Sequence, residues 1–259
     1  ANSGGYSGVG EDHDYETTVS IVDASTLTLK KNVDTGIPNL YGKMSQSGRY
    51  LCINSPGDYF EIPACGIIFD CEKALNGEDC FVVFDYPATY NTTTLDGKFL
   101  AIGSGFSFMT GGYEFSYLTI DPKTMMETHG ESGIEHTLPG TMMDDIMGMT
   151  QPYGIYVNPY TGYMYATDAG YYTGSGDLYQ WSPEGTLLGT HKLYINPGHF
   201  LALPPSGHMT GIETVTHAPG SSPSFIYDLQ GRRYDNESQL KSGTIYIKDG
   251  KKMLFNSQP

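Results

Sequence analysis

Between residues 151 and 203 apolar and polar positions fall into four short runs, 153–157, 163–168, 177–181 and 187–193. Each run is alternating or continuously apolar and is closed by Gly, Pro or Asn, as in Asn158-Pro159-Tyr160-Thr161-Gly162 and Pro183-Glu184-Gly185. Runs of this length with period-two character read as strands, and the short turns between them predict a four-stranded antiparallel meander. At Asn196-Pro197 the pattern begins again, with a further first strand expected at 198–203.

The same units recur upstream. The second run has two relatives, GRYLCINS at 48–55 and GKFLAIGS at 97–104, each opening on a turn glycine and ending in a small residue. The third run has relatives at 18–23, 66–70 and 115–121, which end in Asp23, Asp70 and Asp121. An aspartate at a strand end accepts N–H groups of the following bend, so these three are expected to be structural. Asp70 follows Asp23 by 47 residues and Asp121 follows Asp70 by 51, whereas Ser182 follows Asp121 by 61. An insertion at 129–150 accounts for the longer step. A meander repeating every 40–50 residues or so is a β-propeller blade, and the predicted class is all-β.

About four blades are expected over 1–205. Residues 1–6 fit the end of the second-strand unit, so the chain opens in mid-blade. That favours a piece of a larger ring with further blades upstream, or exposed sheet edges that self-associate. Residues 206–224, rich in Gly, Ser, Thr and Pro, read as a linker. Residues 225–259 predict a small accessory sheet of three strands, with Asp249-Gly250 turning a hairpin.

Composition narrows the partners. The 33 glycines and 15 prolines suit a chain of many turns, and 21 tyrosines supply core and surface aromatics. With 14 basic against 29 acidic residues the formal charge is −15. Nucleic acid and anionic membrane are therefore disfavoured, because both require clustered Lys and Arg. Six of the 14 basic residues (Arg232, Arg233, Lys241, Lys248, Lys251, Lys252) sit in the C-terminal segment, leaving the blades more acidic still. No apolar run is long enough to span a bilayer, and no signal-peptide pattern is present.

The string PYGIYVNPYTGYMYATD, with TVSIVDASTLTL and INPGHFLAL, resembles the surface-layer-type (YVTN, YncE-like) seven-bladed propellers of exported Bacteroidetes proteins. The likeness covers about residues 1–203. Separately, IYDLQGRR with GTIYIKDGKKMLF resembles the C-terminal sorting or attachment segment of exported Bacteroidetes proteins. These resemblances imply an exported protein of the cell surface, outer membrane or periplasm. They also imply that the loops before each first strand and between each second and third strand open on one face. The ligand-binding candidates on that face are Asn39, Tyr41, Asp58, Tyr59, Phe106, Gln151, Tyr153, Tyr171, Tyr172 and His199. Tyrosine rings flanked by Asn, Gln and His suit a flat polar ligand, since rings stack while amides direct hydrogen bonds. The competing view is that these aromatics only hold the blades together.

Signals for metal and catalysis are poor. Asp12, Asp14 and Glu16 gather hard oxygen ligands in one loop that could hold Ca²⁺, but without the ligand spacing and glycine of an EF-hand. No HExxH, CxxC or GxSxG occurs. Met142, Met143, Met147 and Met149 suit core filling or a short helix better than a soft lip on the binding face. The four cysteines, Cys52, Cys65, Cys71 and Cys80, lie in one blade; a Cys71–Cys80 disulfide is expected, with Cys52 facing Cys65 across the preceding hairpin. The favoured function is non-enzymatic capture of a small nutrient, a cobamide or a glycan, for outer-membrane uptake. No cofactor is expected. A metal-dependent lactonase or lyase and a surface scaffold for another protein are the alternatives.

Overall fold

The computed structural model describes residues 1–3, 15–58, 61–107, 111–204, 226–228, 232–234, 236–248 and 251–255. The chain divides into two compact units, Ala1–Leu203 and Pro204–Pro259. In the first, β1 (Thr18–Val22) and β2 (Leu29–Asp34) form a two-stranded sheet, which Asn2 extends by donating its N–H to the Thr18 carbonyl at 2.8 Å. Three four-stranded sheets follow. One holds β3 (Ser45–Ser47), β4 (Tyr50–Ser55), β5 (Cys65–Asp70) and β6 (Phe81–Phe84). The next holds β7 (Tyr90–Thr93), β8 (Phe99–Ser107), β9 (Gly112–Ile120) and β10 (Ile134–Glu135). The last holds β11 (Pro152–Val157), β12 (Met164–Asp168), β13 (Asp177–Trp181) and β14 (Leu187–Lys192). Every pairing is antiparallel and sequential, as a meander requires.

Period-two alternation explains how these sheets pack. Ile53, Ile67 and Phe69 point from β4 and β5 into a core shared with Val19 of β1, while Cys52 and Ile68 point the other way, into a core shared with Phe99 and Ala101 of β8. On β8 the alternate residues Leu100 and Ile102 then enter a third core with Ile155, Val157, Met164 and Trp181. Each middle sheet thus feeds apolar residues to both neighbours. Full burial of one such side chain is worth about 1.5–3 kcal/mol. The first strands also meet directly. Ser45 Oγ donates to the Asn91 carbonyl at 2.9 Å, Thr93 Oγ1 to the Gln46 carbonyl at 2.8 Å, and Val157 N–H to Thr92 Oγ1 at 3.1 Å. Face-to-face four-stranded meanders with adjacent innermost strands are β-propeller blades.

The strand-end aspartates are structural, as expected, but two of them cap helices. Asp70 accepts from Glu72 and Lys73 N–H at the start of α1 (Cys71–Asn76), and Asp121 does the same for Lys123 and Thr124 in α2 (Pro122–Thr128). Asp23 accepts from Ser25 and Thr26 N–H in an ordinary turn. Arg49 Nη2 reaches the buried Asp70 carboxylate at 2.8 Å. The insertion carries α3 (Met142–Met147), whose Met142 and Ile146 are buried in the third core. Met142 and Met149 fill the core, Met143 packs against it partly buried, and Met147 is exposed.

Three expectations about the first unit need correction. Residues 198–203 form no strand, since no described strand pairs with them, although the segment does run along β11. The Cys71–Cys80 bridge is not formed: all four cysteines are thiols, and the Asp70 N–H to Cys80 carbonyl bond at 2.7 Å already closes the backbone around α1. Cys52 does not face Cys65, because register pairs Cys52 with Ile68 and Cys65 with Ser55. Complete burial pushes the Cys52 thiol up to about 12, and burial raises Cys71 and Cys80 as well, so all three favour the inert protonated form.

The second unit is a four-stranded sheet rather than a three-stranded one, in the order β16 (Arg233–Tyr234), β15 (Ile226–Asp228), β17 (Thr244–Lys248), β18 (Lys251–Phe255). Ile226, Leu240 and Tyr246 form its small core. Asp228 accepts from the Arg232 backbone N–H at 2.9 Å and from its Nε at 2.7 Å, which ties the end of β15 to the residue ahead of β16. Lys248 pairs with Lys251, in keeping with the expected hairpin; Asp249, Gly250 and the linker 206–224 lie outside the described residues.

Candidate functional site

In the first and last four-stranded sheets the loop before the first strand is tied to the end of the second strand or to the loop that follows it, and the loop before β7 is tied across to β4 of the preceding sheet. Near the first four-stranded sheet Ser55 Oγ donates to the Pro38 carbonyl at 2.7 Å, and Asn39 Nδ2 donates to the Gly57 carbonyl at 2.7 Å. Asn54 Oδ1 then accepts from Ala88 N–H, just ahead of β7, at 2.9 Å. In the last sheet Asp168 gathers three donors: Thr150 N–H at 2.9 Å, and Gln151 and Gly170 N–H at 2.8 Å each. A carboxylate with three backbone donors is a strong clasp, because charge-assisted hydrogen bonds outweigh neutral ones.

These clasps hold the tyrosines. Tyr153, second on β11, meets Tyr90 of β7 edge-on with ring centroids 5.8 Å apart, and meets Tyr172 of the β12–β13 loop at 5.5 Å. The three rings come from two sheets and one loop. Such edge-to-face pairs contribute about 0.5–1.5 kcal/mol each beyond area burial. Tyr172 sits at φ 62°, a left-handed conformation that is uncommon for an aromatic residue. Its N–H donates to the Ala169 carbonyl at 3.0 Å, which completes the turn. Burial holds the Tyr90 phenol well above the ordinary tyrosine range, with Tyr153 and Tyr172 adding to the effect. Tyr90 therefore stays neutral and offers a hydroxyl rather than a charge.

The other candidates distribute as follows. Gln151 adjoins the cluster in sequence, is half-buried, and its main chain is held by Asp168 and by Ala169 N–H at 2.9 Å. Gly198 lies against Tyr153 so closely that a Cβ there would stand 2.8 Å from the ring, which brings the neighbouring, exposed His199 to the same place. Tyr171 is 82% exposed and Tyr41 64%. Asn39 is buried with its amide nitrogen committed to Gly57, and Asp58 Oδ1 accepts from Ile62 N–H at 2.9 Å, so both brace their loops. Tyr86 is engaged edge-on by His136 at 4.7 Å. Tyr59, Asp12, Asp14 and the Phe106 side chain lie outside the described residues. The Glu16 side chain is exposed, and its backbone bonds Ser3 and Asn39. Among the described residues no three His, Cys, Asp or Glu side chains are grouped to hold a metal.

Asp168 and Tyr90 escaped the sequence reading. Asp168 occupies the seventh position of the second-strand unit, where the relatives carry Asn54 and Gly103, and that position marks the clasp. Tyr90 carried no local signal, because its partner lies 63 residues away. A cavity of about 380 Å³ opens at the opposite ends of the same strands, between the β7–β8 and β11–β12 turns, lined by Leu100, Leu138, Val157 and Met164. Its threonines are internally bonded (Thr94 to Asp96, Thr119 to the Thr137 carbonyl), so it offers few directed contacts. The tyrosine face is the better site on chemistry, although it is an open surface.

The chain matches no protein-family model and no curated protein sequence. Among solved structures it is similar to the crystal structure of a quinonprotein alcohol dehydrogenase-like protein from Bacteroides thetaiotaomicron VPI-5482, at 12% identity and a TM-score of 0.27. The likeness covers 73% of this chain and 62% of that one, so the chain spans less than two thirds of that protein's length. At that TM-score it carries no weight for function; the propeller architecture rests on the sheets and their adjacent first strands.

Proposed function

We propose that this chain is a non-enzymatic, exported propeller of the surface-layer (YVTN, YncE-like) type that captures a flat polar ligand on its tyrosine face. The observation that supports this reading is the convergence of Tyr90, Tyr153 and Tyr172 from separate segments, beside Gln151 and His199. Clustered phenols with exposed flanking tyrosines provide stacking surface and directed hydroxyls, which suits a cobamide or a glycan. The C-terminal sheet serves sorting or attachment in this reading, consistent with its IYDLQGRR motif.

Thermal-shift titration with cyanocobalamin and with a panel of oligosaccharides tests the proposal. Saturation with a cognate ligand at about 100 times Kd adds about 2.7 kcal/mol to stability, a readily measured rise in Tm. Tyr153→Ala is expected to weaken that ligand by about 1–2 kcal/mol, roughly five- to thirtyfold in Kd. No response to either ligand class would favour the protein-scaffold alternative, and a response that survives Tyr153→Ala would place capture away from the tyrosine face.

A further inference from the structure

Lys43 lies just ahead of β3, in the first four-stranded sheet, yet its Nζ stands 5.9 Å from the centroid of Tyr156 on β11, in the third. Phe200 stacks on the same tyrosine, with centroids 5.3 Å apart and planes 5° from parallel. Tyr165, opposite Tyr156 in the β11–β12 register, meets Phe200 at 6.4 Å. The ammonium therefore faces Tyr156, which Phe200 and Tyr165 extend into an aromatic wall made by two strands and the segment that follows β14.

Five of the eight cations of this unit have carboxylates at hand: Lys30 has Asp23, Arg49 has Asp70 and Glu72, Lys98 has Glu135, Lys123 has Glu127, and Lys192 has Asp177. Lys31, Lys73 and Lys43 make no such pair among the described residues, in a chain with 29 acidic residues to 14 basic, and of these three Lys43 is the one set over an aromatic ring. The residue as a whole is exposed, but protein atoms crowd its ammonium enough for burial to lower its pKa. A partly dehydrated ammonium with three donors and one aromatic face is electrostatically incomplete.

We propose that Lys43 and the wall of Tyr156, Tyr165 and Phe200 form an anion-anchoring subsite, and that the captured ligand carries an oxyanion group, carboxylate or phosphate. The inference deepens the tyrosine-face reading and rests on it. Tyr153 and Tyr156 are three residues apart on β11, and Gly198 and Phe200 lie against them in turn. Three residues span about 10 Å of strand, so a ligand that engages both must be at least that long.

Saturation-transfer NMR titrations with naphthalene-2-carboxylate, 2-naphthyl phosphate and the neutral naphthalene-2-carboxamide test it on the whole chain. The two anions are expected to bind at least about tenfold more tightly than the carboxamide, the ratio set by about 1.4 kcal/mol. Lys43→Met should erase that preference while leaving Tm unchanged or raised, because it removes an unpaired charge, and Lys43→Arg should keep the preference. Equal binding of anions and carboxamide, no binding of either anion, or a preference that survives Lys43→Met would overturn the proposal. If all three probes bind equally and Tyr153→Ala weakens them all, the tyrosine-face reading stands and the anion anchor falls. If the anions need Lys43 but not Tyr153, the anchor stands and the tyrosine cluster is not the capture surface.

Discussion

Trp181→Ala is expected to destabilise the blades by about 3–5 kcal/mol, the range for emptying a large aromatic site in a packed core. The side chain is fully buried and stacks on Tyr179 with centroids 5.8 Å apart. Around it lie residues of two adjacent sheets (Leu100 and Ile102, Ile155 and Val157) together with Met142 and Ile146 of α3. Its Nε1–H donates to Asp145 Oδ2 at 2.7 Å, and Thr141 Oγ1 donates to the same oxygen at 2.8 Å. One residue thus joins two blades and fastens the insertion over them. In a unit of this size the loss corresponds to a fall in Tm of roughly 6–20 °C, measured by calorimetry or circular dichroism. Trp181→Phe should cost less, since it keeps most of the ring and Asp145 retains the Thr141 hydroxyl. Equal stability of wild type and Trp181→Ala would mean that the third core is not packed as described.

Asp168→Ala should cost about 2–4 kcal/mol and also blunt ligand capture. It strips the acceptor from three backbone donors at once, Thr150, Gln151 and Gly170. A hydrogen bond to a charged group contributes about 1.5–3 kcal/mol, but donors this close to the surface regain part of it from water. The effect on the site follows from sequence position: Gln151 leads into Tyr153, and Gly170 precedes Tyr171 and Tyr172. Loosening both loops separates rings that now meet at 5.5 Å. Asp168→Asn keeps an oxygen for two of the donors and should recover about half of the stability. Chemical denaturation gives the stability change, and a loss of ligand response larger than the Tm change predicts would show that the clasp positions the tyrosines.

The strands were legible because alternation and turn chemistry are local. The four runs of the last blade sit within two residues of β11 to β14, and the recurring aspartates located the third strand of the others. What followed those aspartates was not legible. A side chain that accepts two N–H groups looks the same ahead of a turn as ahead of a one- or two-turn helix, so α1 and α2 were hidden. The cysteines misled for a related reason. Their even number suggested bridges, whereas the backbone bond between Asp70 and Cys80 already closes that loop. At the site, position on a face could be inferred from the repeat, but whether a polar side chain was free or spent could not. Asn39 reads as a ligand donor until its partner Gly57, 18 residues on, is seen to take its amide.

The account turns on sheets distant in sequence standing face to face, so that tyrosines of different blades touch. Nuclear Overhauser spectroscopy with selectively labelled tyrosine reads this directly, with Tyr179 and Trp181, two residues apart on β13, as an internal reference at 5.8 Å. Ring-proton transfer between Tyr90 and Tyr153, and between Tyr153 and Tyr172, is expected at strengths near the reference, given centroids 5.8 and 5.5 Å apart. A clear reference signal with no transfer from Tyr90 to Tyr153 would contradict the radial stacking of the blades and the capture face built on it.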